Sequence, residues 1–352
     1  MTTPRLLKVL DTLPAGILDV EPAAIGHVLS GPTLIHLPGR RPRPLFVSAF
    51  LHGNETTGFL AMQRVLKQYS DRLLPRALSL FFGNIPAAIR KVRRLDQQCD
   101  YNRIWPGTEL PVCPEIEMAQ WIADDMARRR VFASIDIHNN TGLNPHYSCV
   151  SHLQRQSLQL AAMFGRLCIY STRPKGTQTG AFAPLCPALT LECGKPGVAF
   201  GSEHAAEFID ACLHISQLRN HRVPMHDLEL YESVAQIFIN TGIDFGFGKD
   251  DADLNLIPDL DRLNFRPVSS GFAWGEVSCP DLPITVLNGD GRNVADLYFR
   301  IEDGQLYLTQ SLMPSMLTLD ERVIRQDCLG YLMTRMSLAE GIDRASASPW
   351  FS

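Results

Sequence analysis

Charge of one sign, long apolar runs and paired cysteines are all missing from this chain. Its 352 residues carry 33 Lys and Arg against 37 Asp and Glu, a formal net charge of −4, and no basic stripe interleaved with aromatics stands out. Nucleic acid is therefore not expected as a partner, because binding it needs a concentrated positive field. The most basic short stretch ahead of the first motif, Gly39-Arg40-Arg41-Pro42-Arg43-Pro44, is broken by prolines and reads as a solvated loop. No run approaches the roughly 18 apolar residues of a membrane span, and Met1-Thr2-Thr3-Pro4-Arg5 leads into no apolar stretch of signal-peptide type. The nine cysteines, at positions 99, 113, 149, 168, 186, 193, 212, 279 and 328, include no C-x-x-C pair and are odd in number. That pattern argues against a zinc ribbon and against a secreted disulfide framework. A soluble, cytoplasmic protein with no membrane partner is the expectation.

What is present is a set of apolar runs that end in polar groups. Leu45-Phe46-Val47-Ser48-Ala49-Phe50-Leu51 runs straight into His52-Gly53-Asn54-Glu55. Val131-Phe132-Ala133-Ser134-Ile135-Asp136-Ile137 ends in His138, and Ala188-Leu189-Thr190-Leu191 ends in Glu192. Read as strands of an open α/β sheet, these runs bring their polar ends to one edge, where ligands bind. Two imidazoles and one carboxylate suffice for zinc with a position open for water, and a further Glu is then left as a proton carrier. Taken singly, a His or Glu at a strand end is more often solvated or hydrogen-bonded than metal-bound.

With 45% hydrophobic residues, the chain is long enough for one large core or two domains. From about residue 44, strand-like and helix-like stretches alternate, as in a mainly parallel mixed sheet flanked by helices. Ala77–Phe82 reads as a strand, and Pro114 to Arg130 as a helix that opens on acidic residues and closes on arginines. A further helix from about Glu203 to Arg219 contains His204 and His214 without H-E-x-x-H spacing, so these and His221 read as surface or packing residues. Beyond about residue 225, short β-prone runs such as Ser233–Ile239, Ile284–Leu287 and Gln305–Thr309 are separated by Gly, Asp and Pro turns. The expected organisation is an N-terminal segment (1–43), a catalytic domain (44–222) and a smaller C-terminal β-rich domain (223–352).

Six ordered motifs carry a resemblance to a known family. His52-Gly53-Asn54-Glu55, Asn84-Ile85-Pro86-Ala87, Arg93-Arg94-Leu95-Asp96, Asp100-Tyr101-Asn102-Arg103-Ile104-Trp105-Pro106-Gly107, Asp136-Ile137-His138 and Thr190-Leu191-Glu192-Cys193-Gly194 resemble those of the succinylglutamate desuccinylase and aspartoacylase family. That family lies within the zinc carboxypeptidase superfamily. The resemblance implies a zinc carboxypeptidase-like fold and one zinc ion per chain, held by His52, Glu55 and His138. It implies Glu192 as general base and acid, Arg93 (or its neighbour Arg94) as the carbonyl-polarising arginine, and Asn102 with Arg103 as the anchor for a substrate carboxylate. Asp136, on the strand face of His138, either orients an imidazole or satisfies loop amides. Asn139, Asn140, His146 and Tyr147 follow His138 closely enough to line the pocket.

The function so implied is zinc-dependent hydrolysis of an amide bond in a small carboxylate-bearing substrate, of N-acyl amino acid deacylase type. A metallocarboxypeptidase uses the same chemistry, and a non-catalytic metal-binding protein on the same scaffold is the alternative of a different class. The partner expected is a small molecule, with a homo-oligomer left open. In the resembled aspartoacylases a further arginine upstream of the catalytic Glu binds the substrate. Here that stretch, Thr177 to Pro184, is uncharged, and Phe182 in its place would favour a less charged group.

Overall fold

A parallel strand pair needs a crossover connection, and alternating apolar runs with amphipathic stretches supply one. A computed structural model, which describes residues 2–224, 226–249 and 251–337, has this architecture in the first of two compact units. That unit takes the described residues up to Asn139 together with His146–Leu230. Its strands are β1 (Lys8–Leu10), β2 (Thr33–Leu37), β3 (Gly39–Ala49), β4 (Leu74–Phe82), β5 (Ala133–His138), β6 (Tyr147–Val150), β7 (Leu167–Tyr170) and β8 (Ala188–Glu192). They lie in the order β1-β2-β4-β3-β5-β8-β6-β7. The centre is parallel, β4 with β3, β3 with β5 and β5 with β8, while β2 on β4 and β6 on β8 are antiparallel. Helices α1 (Thr57–Gln68), α2 (Ile85–Arg90), α3 (Pro114–Arg128), α4 (Arg155–Phe164), α5 (Gln178–Phe182) and α6 (Ala199–His214) flank this sheet. Among the described residues no helix is long and apolar enough to cross a membrane.

Every residue of β5 and of β8 is buried, although Ser134, Asp136 and His138 alternate with apolar residues in β5, as Thr190 and Glu192 do in β8, so one side of each strand carries buried polar groups. Part of the core is aromatic: Phe46 stacks on Phe182 with ring centroids 4.9 Å apart, and Trp105 meets Phe182 edge-on at 5.8 Å. Phe182 is therefore a core residue, and the expectation that it shapes substrate choice is corrected. Its place on a short helix turns the ring inward, where the apolar area it buries outweighs any polar contact.

The prolines in Gly39 to Pro44 do not make a loop. β3 starts at Gly39, opposite Leu74, and Arg41 pairs with Arg76, after which the register shifts before Leu45. An irregularity of this kind is where a strand accommodates proline. The first 43 residues thus supply β1, β2 and the start of β3. α6 begins earlier and ends earlier than its sequence pattern predicts, because Gly197 turns the chain at φ 84° just ahead of it and Ile215 is already extended.

The second unit takes Asn140–Pro145 and Tyr231–Met336. In one sheet, β9 (Glu229–Ile239) lies between β13 (Ile284–Asn288) and β17 (Gly330–Met336), with β16 (Met313–Ser315) beyond. The other runs β10-β11-β12-β15-β14, built from β10 (Phe245–Phe247), β11 (Leu254–Leu256), β12 (Ala273–Val277), β14 (Phe299–Glu302) and β15 (Gln305–Leu308). Trp274 and Phe299 meet edge-on in its core. Residues 338–352 of the expected C-terminal domain lie outside the described residues.

Candidate metal centre

At the end of β3, Phe50 takes a left-handed φ of 58° and turns the chain into His52. Gly53 then sits so close to α2 that a Cβ there would lie 2.2 Å from the backbone of Ala87 and Ala88, and its N–H donates to the Arg93 carbonyl at 3.0 Å. Asn84 caps α2, its Oδ1 accepting from Ala87 N, while its Nδ2 donates to Gln98 Oε1 at 2.8 Å. The His-Gly-Asn-Glu turn, the Asn-Ile-Pro-Ala turn and the arginine loop therefore form one packed framework.

That framework brings His52, Glu55 and His138 together. Their ligand atoms all lie within 4.8 Å of one another, and all three residues are buried. His52 Nδ1 is 2.8 Å from one oxygen of Glu55, and His138 Nδ1 is 2.8 Å from the other. The outer nitrogens face carboxylates: His52 Nε2 donates to Asp100 Oδ1 at 3.0 Å and His138 Nε2 to Asp136 Oδ2 at 2.7 Å. Asp136 is itself fixed by the Ser48 hydroxyl, and Asp100 by the Asn102 N–H. Protons held on the outer nitrogens leave lone pairs on Nδ1 that point at Glu55.

Two lone pairs and a carboxylate at such distances repel unless protons or a cation lie between them. Burial and Arg93 lower the His52 pKa, yet Glu55 and Asp100 outweigh them and raise it. Burial likewise lowers the His138 pKa, and Asp136 with Glu55 reverses this to hold it well above its ordinary value. Burial would raise the Glu55 carboxyl, but the two imidazoles pull it far below the usual range. The cluster thus attracts positive charge strongly, and its two imidazoles and one carboxylate fit a divalent ion of zinc's preference.

Glu192 stands opposite His138 in the β5–β8 register and opposite Tyr147 in the β8–β6 register. Burial, helped by Glu55 and Asp136 and opposed by His138 and His52, pushes its carboxyl up to about 8. Arg93 reaches the cluster, with Nη2 3.1 Å from Asp100 Oδ2 and Nη1 3.6 Å from Glu55 Oε1. Arg94 instead donates to carbonyls of its own loop, those of Asp96 and Gln98. Asn102 Nδ2 lies 3.3 Å from His138 Nε2, and its Oδ1 accepts from the N–H of Gln178 at the start of α5. Arg103 is partly buried beside it and donates to the Asn102 carbonyl.

Asn139 joins three segments: its N–H donates to Glu55 Oε2, and its Nδ2 to Thr57 Oγ1 and to the Gly194 carbonyl. His146 stacks with His204, their Nδ1 atoms 2.9 Å apart, and both rings lie near that of Phe164. Packing accounts for this histidine. Asp100 has no assigned role in the sequence reading, because a lone Asp in a loop without periodicity gives no signal beyond its place in the Asp-Tyr-Asn-Arg motif. The same loop brings Cys99 and Cys113 to an Sγ–Sγ distance of 3.5 Å.

Comparison with known proteins bears on the fold and the lineage of the chain. The sequence profile described as the Succinylglutamate desuccinylase/Aspartoacylase catalytic domain matches residues 42–219, half of the chain. A succinylglutamate desuccinylase of Pseudomonas putida is 46% identical over 65 residues, a stretch that spans only 18% of this chain and 19% of that relative. Among solved structures, the succinylglutamate desuccinylase of Chromobacterium violaceum superposes with a TM-score of 0.55 at 17% identity, covering 85% of this chain and 86% of its own. Murine aminoacylase 3 gives 0.55 at 16% identity, covering 84% and 96%. At such identities the structures speak for the fold, and the profile speaks for the lineage: the chain belongs to the succinylglutamate desuccinylase/aspartoacylase family.

Proposed function

We propose that the protein is a zinc-dependent amidohydrolase that removes the acyl group from a small N-acyl amino acid. What supports this most is the Glu55 carboxylate facing two imidazoles whose outer nitrogens are held by Asp100 and Asp136. His52, Glu55 and His138 would hold the zinc, one ion per chain. Bound there, zinc supplies a Lewis acid that polarises a carbonyl and acidifies water.

Glu192 takes the proton of the attacking water and returns it to the departing nitrogen. Burial gives its carboxyl a high proton affinity, which a cation held by His52, Glu55 and His138 would lower. Arg93, kept in place by Asp100, presents a fixed positive charge to the oxygen that becomes negative during attack. Arg103 and Asn102 anchor the substrate carboxylate, for which a guanidinium fork is suited. The unpaired spacing of the cysteines supports a cytoplasmic setting.

The test is Glu192→Gln, which keeps the shape of the side chain and removes the base. Zinc content should persist while turnover falls by about 10² or more, the effect of losing a positioned acid–base group. A kcat near that of the wild type would take Glu192 out of the mechanism.

A further inference from the structure

At the amino ends of the same parallel strands lies a cavity of about 520 Å³, bordered by Arg41, Arg43, Arg76 and Phe132. Register fixes its place, since Arg41 is opposite Arg76 in the β3–β4 pair and Phe132 immediately precedes β5. Ala133 to His138 spans roughly 17 Å at strand rise, so this cavity is separate from the metal centre.

Arg76 is only 2% exposed. A guanidinium so buried is ordinarily paired with a carboxylate, and Arg76 has none among the described residues. Its Nη1 and Nη2 donate to the carbonyls of Arg43 and Ile215 at 2.9 and 2.7 Å. Its plane lies 3.5 Å over the Phe132 ring, and its Nε has no hydrogen-bond partner. Two carbonyls and a ring share the hydrogen bonding but leave the charge uncancelled.

The neighbouring arginines add to it. Arg41 donates to the Pro75 carbonyl at 3.4 Å, and Arg43 to those of Arg130 and Val131 at 2.9 and 3.4 Å. Among the described residues neither has a carboxylate partner, and none of those lining the cavity is acidic. Burial first, then Arg41 and Arg43, lowers the Arg76 pKa to about 10, as expected where like charges gather without a counter-charge.

We propose that this cavity binds a soluble, phosphate-bearing anion of metabolite size. A phosphate group brings roughly two negative charges and several acceptor oxygens, and guanidinium forks are matched to it. Gln156 and Ser216, also on the wall, offer neutral donors for the rest of such a molecule.

The experiment is calorimetric titration of the zinc-loaded full chain with inorganic phosphate and with glycerol phosphate at constant ionic strength. One saturable site per chain is expected for at least the ester. It should persist in the His52→Ala/His138→Ala protein, which separates this cavity from the metal centre. In Arg41→Gln/Arg43→Gln, both outer residues of the cavity, affinity should fall tenfold or more through loss of charge-assisted hydrogen bonds. Arg76→Met should abolish binding, but the outer pair decides the matter if that variant does not fold. Absence of saturable binding at millimolar concentrations, loss of binding with the metal-site variant, or unchanged affinity in Arg41→Gln/Arg43→Gln would overturn the proposal.

Discussion

Asp100 holds two functional groups at once, with Oδ1 3.0 Å from His52 Nε2 and Oδ2 3.1 Å from Arg93 Nη2. Asp100→Asn keeps the shape and removes the charge that fixes the imidazole. Zinc affinity is expected to fall by about 10- to 100-fold, measured by competition with a chelator, and wild-type affinity would show that something else orients His52. His146 bears on the acid response. Burial first and His204 second lower the His146 pKa from 6.5. A histidine whose folded pKa lies below its unfolded value binds fewer protons when folded, so its contribution is complete above 6.5 and is lost as pH falls below it. His146→Phe, which keeps a ring beside Phe164, should flatten the decline of the urea midpoint below about pH 6.5. An unaltered slope would remove His146 from the acid response. His52, Glu55 and His138 were legible because each stands in a short motif at the end of an apolar run. Asp100 was not, since what it orients lies 48 residues away and no periodicity announces it.

Elements place these side chains, and the tightest placement is the His52–Glu55 turn against α2. Gly53→Ala would force a Cβ to within 2.2 Å of α2 backbone atoms. Overpacking of this kind costs about 1–3 kcal/mol and shifts two of the three metal-site donors. A lowered Tm with weaker zinc binding is therefore expected, and wild-type values for both would contradict the close contact. The composition of α5 carries a prediction about the substrate. With Phe182 in the core and no charge from Thr177 to Pro184, this segment has no guanidinium to offer a second carboxylate. The nearby Arg173 has Glu109 at 3.5 Å. A missing partner for a buried carboxylate costs on the order of 3 kcal/mol, so kcat/KM should favour N-acyl derivatives of neutral amino acids over N-acetylaspartate and succinylglutamate. A clear preference for either diacid would reverse this. The central strands were readable because apolar residues dominate 45–51, 131–137 and 188–191, with only Ser48, Ser134, Asp136 and Thr190 between them. The start of β3 was not, because Pro42 and Pro44 disguise a strand that passes through an irregular register.

Over the whole chain, the change to short β-runs with Gly and Asp turns is read at about residue 225, and the second compact unit takes up the chain again at Tyr231. The assignment of Asn140–Pro145 to that unit was hidden, since it rests on contacts such as Met316 N–H to Asn144 Oδ1 across 172 residues. An ion bound only by the folded chain stabilises it by mass action, about 2.7 kcal/mol at a hundredfold excess over Kd. Removing zinc with a chelator should therefore lower Tm, and returning zinc should restore it. The central claim is amide hydrolysis that depends on zinc at His52, Glu55 and His138. Turnover of a set of N-acyl amino acids by the zinc-loaded chain, before chelation, after it and after zinc is returned, tests that claim most directly. The expected result is hydrolysis that vanishes, returns, and is absent from His52→Ala/His138→Ala; hydrolysis indifferent to the chelator, or none from any N-acyl amino acid by protein carrying one zinc, would contradict it.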